Sequence, residues 1–203
     1  MRTLLLTTAA VLVLGTSSAF AANVAIFAQS GFYNNHWAGG INQYGHDNVA
    51  VLGSSAHSGL NYSNINQHSY SYKDKALIWQ NGWLSSAEID QGYFTKHDNA
   101  AIVQGGLFNQ ASIDQDDDHE TAVIVQGGIA NTTKVYQNDD HETAGVVQGG
   151  VDNQTYIHQN DDNQTALVAQ GGVDNKTVIN QNNSNTVAVV VQGGVGNVAR
   201  VNQ

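Results

Sequence analysis

Two kinds of polar side chain recur at fixed spacing in this chain, and each suggests a chemistry. Glutamine stands at positions 43, 67, 91, 115, 137, 159, 181 and 203, with Ile or Val two residues before each one. The interval is 24 residues for the first three steps and 22 for the last four. A primary amide donates and accepts, so glutamines stacked in register can saturate one another even when buried. The second kind is the carboxylate. Asp116, Asp117, Asp118, Asp139, Asp140, Asp161 and Asp162 fall at matching places in successive repeats. Carboxylates held a few ångströms apart repel, which raises some of their pKa values. Three readings of these aspartates stay open. They are gatekeepers that slow association until acid, salt or a cation relieves them. They are hard oxygen ligands for Ca²⁺. Or they are solvated turn formers.

The elements that must position these groups follow from a period of two. An Ala-x-apolar-x-Gln pattern runs through Ala76-Ile78-Gln80, Ala100-Ile102-Gln104, Ala122-Ile124-Gln126, Ala144-Val146-Gln148, Ala166-Val168-Gln170 and Ala188-Val190-Gln192. Eleven residues after each of these glutamines comes a glutamine of the first set: Gln91, Gln115, Gln137, Gln159, Gln181 and Gln203. Between the two lies a glycine-bearing segment, followed in all but the first of these repeats by an asparagine: Asn109, Asn131, Asn153, Asn175 or Asn197. Alternation in both halves predicts strands. Gly-Gly-x-x-Asn and Asn-Asp-Asp-His are turn-forming. Each repeat therefore reads strand, turn, strand, turn.

Two strands bury no core by themselves, whereas stacked repeats do. The predicted fold is all-β and amyloid-like: a β-solenoid of about eight stacked strand-turn-strand repeats forming two parallel sheets. At about 4.8 Å per rung it makes a rod roughly 35–40 Å long. The inward columns are Ala, Ile/Val and Gln from one strand, and Asn, Ala/Thr, Ile/Val and Gln from the other. One outer face then carries Leu77, Trp79, Val123, Val125, Val147 and Val189, and the other carries Lys134, Tyr136, Tyr156, His158 and Lys176. An apolar outer face is a packing surface.

Composition narrows the class. The 203 residues include no Cys and no Pro. Absence of Cys excludes a disulfide framework, and absence of Pro suits nearly continuous strand pairing. Seventeen Asp and Glu oppose seven Lys and Arg, one of them Arg2. That balance repels nucleic acid and anionic lipid. Met1-Arg2, the apolar run from Leu4 to Gly15, and Ala19-Phe20-Ala21 form a secretory leader with cleavage expected after Ala21. No later stretch is apolar enough for a transmembrane helix. The expected organisation is a leader over 1–21, degenerate repeats over 22–67 and six regular repeats over 68–203. An extracellular or cell-surface location follows.

The spacing Gln-x4-Asn-x5-Gln, as in Gln148 to Asn153 to Gln159, resembles the repeat of the curlin family, the subunits of bacterial curli amyloid fibres. The likeness covers residues 68–203 closely and the first two repeats loosely. It implies a fibre-forming β-solenoid with the Gln and Asn columns as its ladder, a role in adhesion and biofilm matrix, and partners for export (an outer-membrane pore) and nucleation. The family's Ser, six residues before the first Gln of a repeat, is replaced by Asp98, Glu120, Glu142, Gln164 and Thr186. The acids there form a like-charge column, which is unfavourable. The nucleating minor subunit is the runner-up within the family.

Outside it, a soluble ice- or ligand-binding solenoid is the alternative. An ice-binding face needs outward Thr ladders, and Thr133, Thr155 and Thr177 point inward in this register. Catalysis finds no support. His119, His141 and His158 recur at repeat positions, and no G-x-S-x-G, H-E-x-x-H or P-loop motif occurs. The last repeat is regular and uncapped, so its edge is expected to template another chain.

Overall fold

The computed structural model describes residues 10–15, 23–29, 40–54 and 60–203. The expected cleavage point at Ala21 and the degenerate-repeat residues His36 and Trp37 lie outside the described residues. A first strand, β1 (Ala10–Gly15), precedes eight strand pairs. These are β2 (Val24–Gln29) with β3 (Ile41–Gln43), β4 (Val49–Ser54) with β5 (Tyr62–Gln67), β6 (Lys75–Trp83) with β7 (Ser86–Gln91), and β8 (Asn99–Leu107) with β9 (Gln110–Gln115). Then come β10 (Thr121–Gln126) with β11 (Thr132–Gln137), β12 (Thr143–Val151) with β13 (Gln154–Gln159), β14 (Thr165–Val173) with β15 (Lys176–Gln181), and β16 (Val187–Val195) with β17 (Val198–Asn202).

Each pair is one rung. The even strands form one sheet, capped by β1, and the odd strands from β3 onward form the other. From rung to rung the pairing is parallel and in register, so like sits on like: Ala122 on Ala144, Ile124 on Val146, Gln126 on Gln148. This is the predicted parallel β-solenoid. The exception is β1, which pairs antiparallel with β2.

Alternation produces the core. Ile78, Ile102, Ile124 and Ile65, Ile89, Ile113 are fully buried, with Ala76, Ala100 and Ala122 beside them. The apolar cluster runs without a break from Ala50 to Val190, across the expected boundary at residue 67. Such a core is only two side chains thick, and so it depends on its polar borders.

Strand one is longer than the turn chemistry suggested. In β8, β12, β14 and β16 it runs through the Gly-Gly pair, as in Thr143–Val151, because Gly149 and Gly150 stay in register with Gly171 and Gly172, whereas β10 stops at Gln126. The second glycine of each pair needs its missing side chain. Gly150 has φ +107°, and a Cβ there would stand 2.0 Å from the Gly172 carbonyl oxygen. The corners turn at left-handed residues: Ala130, Asp152 and Asp174 on one side, His119, His141, Asn163 and Asn185 on the other. This conformation costs roughly 1–2 kcal/mol for an L-residue. It is held by rung-to-rung bonds, such as Asp152 N–H to Ile129 O at 2.9 Å and His141 N–H to Asp118 O at 3.1 Å.

The two extra residues of the longer repeats lie in the second turn, as comparison of Gln91–Asp98 with Gln115–Glu120 shows. They carry aromatic rings outside the rung, where Tyr70 stacks on Phe94 with centroids 5.0 Å apart.

Candidate functional site

Four polar columns border the apolar core. Two are glutamine ladders. In the first, Gln80 Nε2 donates to Gln104 Oε1 at 2.9 Å, and the chain of bonds continues through Gln126, Gln148 and Gln170 to Gln192. In the second, Gln43 donates to Gln67, and the ladder continues through Gln91, Gln115, Gln137, Gln159 and Gln181 to Gln203. Every donor points to the following rung, so each ladder has a direction. Thr133, Thr155 and Thr177 are buried and brace the first ladder. Thr133 Oγ1 accepts from Gln126 Nε2 at 2.9 Å and donates to Gln148 Oε1 at 2.6 Å. The inward Thr register read from the sequence is therefore correct.

The third column is the asparagine corner. Asn131 Nδ2 donates to Gly127 O at 2.8 Å and to Gly150 O in the next rung at 3.2 Å. Its Oδ1 accepts the backbone N–H of Asn153 at 3.0 Å. Asn109, Asn153 and Asn175 repeat this set. One side chain thus closes the turn of its own rung and ties down two backbone groups of the next. Ser85 interrupts the column, and its Oγ is buried without a partner.

The fourth column lies at the opposite corner and is acidic. It reads Asn48, Asp74, Asp98, Glu120, Glu142, Gln164 and, half-buried at the edge, Thr186. The four acids are completely buried. Three make bonds. Asp74 accepts from Thr95 Oγ1 at 2.7 Å, Asp98 from the Glu120 N–H at 2.9 Å, and Glu142 from the Asn138 N–H at 2.9 Å. Both carboxyl oxygens of Glu120 and Oδ2 of Asp98 have no partner. Burial, then the neighbouring carboxyls, push Glu120 up to about 11. Burial foremost lifts Asp98 and Glu142 each to about 8 and raises Asp74 as well. The expected like-charge column is in place, but its members are interior groups held toward the neutral form. The signal was present in the sequence: Glu120-Ala122-Ile124-Gln126 share one parity, so the acid must face inward with the core.

The turn aspartates lie on the outer side of this corner. Asp116, Asp117, Asp140 and Asp162 are exposed, and Asp118, Asp139 and Asp161 are half-buried. Burial and the surrounding aspartates raise Asp117 and Asp139. Asp161 goes the other way, lowered by the hydroxyl of Ser184, which donates to it at 2.6 Å. Lys96 Nζ pairs with Asp118 at 3.1 Å. Beside them His97, His119 and His141 form a stack, with centroids 5.1 and 4.9 Å apart. Among the described residues no group of three or more His, Asp or Glu side chains is placed to hold a metal ion.

The outer faces divide as the alternation required. Strand one presents Val123, Val125, Val147, Leu167 and Val189, all at least 38% exposed. Shallow apolar grooves form where Gly145 and Ala101 interrupt the larger side chains. Strand two presents Lys134, Tyr136 and Lys176. Strands β16 and β17 end the two sheets, and there Val187, Val191, Val195 and Val198 are 62–78% exposed. Asn197 and Gln203 are exposed too, and Gln192 is half-buried. Gln192 receives bonds from Gln170 and Thr177, while its own Nε2 has no partner among the described residues.

Fold and columns together define a parallel β-solenoid with an amide-laddered core. No protein-family model matches the chain, and no curated protein matches it. Among the described residues no helix is long and apolar enough to cross a membrane.

Proposed function

We propose that the chain is the structural subunit of an extracellular, curli-like amyloid fibre that grows end to end by adding rungs. The observation that carries this is the identity of successive rungs. Thr165–Val173 pairs residue for residue with Val187–Val195, so the outer edge of the last rung offers what every inner rung already accepts. The ladders add polarity. Gln203 Nε2, which spends one hydrogen on Val187 O, keeps the other for a further rung, and Gln43 at the opposite end presents an acceptor of the same ladder. A head-to-tail contact continues that ladder without new chemistry. Such a heterologous contact does not close on itself and yields a filament. Cleavage near Ala21 would remove β1 and free the parallel edge of β2. The apolar strand-one face then packs filaments side by side. The curlin-like spacing supports the same reading and supplies its biological setting: adhesion, biofilm matrix, an export pore and a nucleator.

The test is direct. Purified residues 22–203, incubated in buffer, should give thioflavin-positive fibres with cross-β spacings of about 4.8 and 10 Å. A persistently monomeric solenoid under seeding overturns the proposal. Arg200→Pro adds specificity. By the register in which Lys176 N–H donates to Asn197 O, the Arg200 N–H points away from rung seven, toward the next chain. Proline there removes an edge donor. The variant should fold and fail to extend seeds at that end.

A further inference from the structure

Interior acids with no cation beside them need an explanation. Asp74, Asp98, Glu120 and Glu142 are each 0% exposed and occupy consecutive rungs. The column is neutral at both ends, with Asn48 on one side and Gln164 and Thr186 on the other. The acids are therefore confined to the central rungs and are absent from the growing edges. Their partners are too few for carboxylates. Both Glu120 oxygens and Asp98 Oδ2 lack a donor, although an ionised carboxylate offers about four acceptor sites. An uncompensated buried charge is far more costly than a neutral group.

The surroundings do not supply the missing positive charge. The groups acting most on Glu120 are Asp98, Glu142, Asp117 and Asp116. Asp98 faces Asp74 and Asp118, and Glu142 faces Asp139. On the outer side of the corner, Lys96 is engaged by Asp118, and the stacked rings of His97, His119 and His141 stand clear of the interior. Of these, the His97 ring acts on the column at Asp74, and His119 acts only through its backbone, at Asp98.

We infer that this column is a proton-binding site: the central rungs close with protons on Asp98, Glu120 and Glu142, so acid favours entry into the solenoid and alkali favours the open chain. A proton removes the charge, lowers the number of acceptor sites to be filled and gives each carboxyl an O–H to offer the next rung, about 4.8 Å away. The sign follows from linkage. In the unfolded chain these acids ionise near pH 4; in the rung they hold protons to well above that. Between the two values the folded state binds more protons, so stability falls as pH rises. Each acid that stays protonated lowers the folding constant about tenfold per pH unit in that window. The consequence for fibre growth rests on the fibre reading above; the folding step does not.

The experiment measures folding, at concentrations too low for fibres, by circular dichroism in urea from pH 4.5 to 9 at constant ionic strength. The native chain should lose urea midpoint steadily as pH rises. The D98N/E120Q/E142Q variant should be nearly flat above pH 6 and more stable than the native chain at pH 8. The D116N/D117N/D118N/D139N/D140N variant removes only surface charges and should keep the upper slope. A flat native profile, or a triple variant with the native slope, overturns the inference. Should the triple variant not fold, proton uptake by the native chain on refolding at pH 7 decides: net uptake supports the site and none refutes it. Failure of fibre growth with the folding slope intact would sink only the fibre reading.

Discussion

Gln148 is saturated by its neighbours. Its Nε2 donates to Gln170 Oε1 at 2.6 Å and to Thr155 Oγ1 at 2.9 Å, while its Oε1 accepts from Gln126 at 2.8 Å and Thr133 at 2.6 Å. Removing this amide deletes four buried hydrogen bonds and breaks the ladder, although Gln126 keeps Thr133 and Gln170 keeps Thr155. Each buried bond contributes about 0.5–1.5 kcal/mol net. Gln148→Leu is therefore expected to destabilise the solenoid by about 3 kcal/mol or more, read as a lowered urea midpoint. Gln203→Leu, exposed in the last rung, is expected to change it by less than about 1 kcal/mol. Equal effects would mean that the ladder is not what holds the interior.

Adjacent glycines should behave oppositely. A Cβ on Gly150 meets the Gly172 carbonyl oxygen at 2.0 Å, on backbone at φ +107°. Gly150→Ala therefore prises two rungs apart, and a loss of several kcal/mol is expected. A Cβ on Gly149 meets nothing within 4 Å, and its φ is not in the positive region. Gly149→Ala is expected to be neutral or to stabilise by about 0.4–1 kcal/mol through the unfolded chain. Thermal unfolding of the two variants side by side checks this.

Ser85 is a gap in a column that otherwise runs as asparagine from Asn61 to Asn197. Asn61 Oδ1 accepts the Ser85 N–H at 3.0 Å, but Ser85 returns no side-chain bond. An asparagine there would donate to Asn81 O and Gly106 O and accept the Asn109 N–H, as Asn131 does for its own neighbours. Ser85→Asn is expected to raise stability by about 1–2 kcal/mol. A lower melting temperature would show that the corner around Ser85 has a different shape from the asparagine corners.

Much of this architecture could be read from residue order. Two strands per repeat, parallel stacking, buried Gln and Asn columns and the inward Thr residues all follow from period-two alternation combined with a 22-residue repeat. Three features did not follow. The Gly-Gly strands run longer because parallel register, a relation between rungs, keeps glycine in the ladder. The acid column at Asp98, Glu120 and Glu142 shows in the residue order as a like-charge penalty and not as an interior. Its burial follows from parity with Ala122 and Ile124, yet composition argues that acids belong outside. The antiparallel placement of β1 has no counterpart in the repeat pattern.

The apolar face of strand one gives a prediction about bundles. Val189 is 61% exposed, and its side chain points away from the core. Val189→Lys should leave the fold and single filaments intact, since lysine keeps its head in water. Lateral association should weaken, because one charge per subunit repeats along the face. Electron micrographs should show thinner bundles at low salt, partly restored at high salt. Unchanged bundles would place lateral packing on another surface.

Asp114 separates a surface contribution from the interior acids. It is half-buried on the strand-two face and is pushed up to about 6, by burial first and then by Asp116, Asp90 and Glu88. His68, which pairs with Asp90 at 2.8 Å, offsets this only in part. The folded-state value exceeds the unfolded one near 4, so Asp114 favours folding at low pH, and that advantage is lost as pH rises from about 4 to about 6. Above 6 it adds no further slope. Asp114→Asn should therefore flatten the urea-midpoint profile between pH 4 and 6 and leave the fall between 6 and 8 unchanged. Asp161 is the control of opposite sign. The Ser184 hydroxyl lowers its pKa, so its small contribution is present at neutral pH and disappears as pH falls through the lowered value. Asp161→Asn should lower the midpoint slightly and evenly above pH 4, leaving the slope there unchanged, because its titration window lies below that. If Asp114→Asn instead removed the slope above 6, the proton uptake would belong to the polar face and not to the buried column.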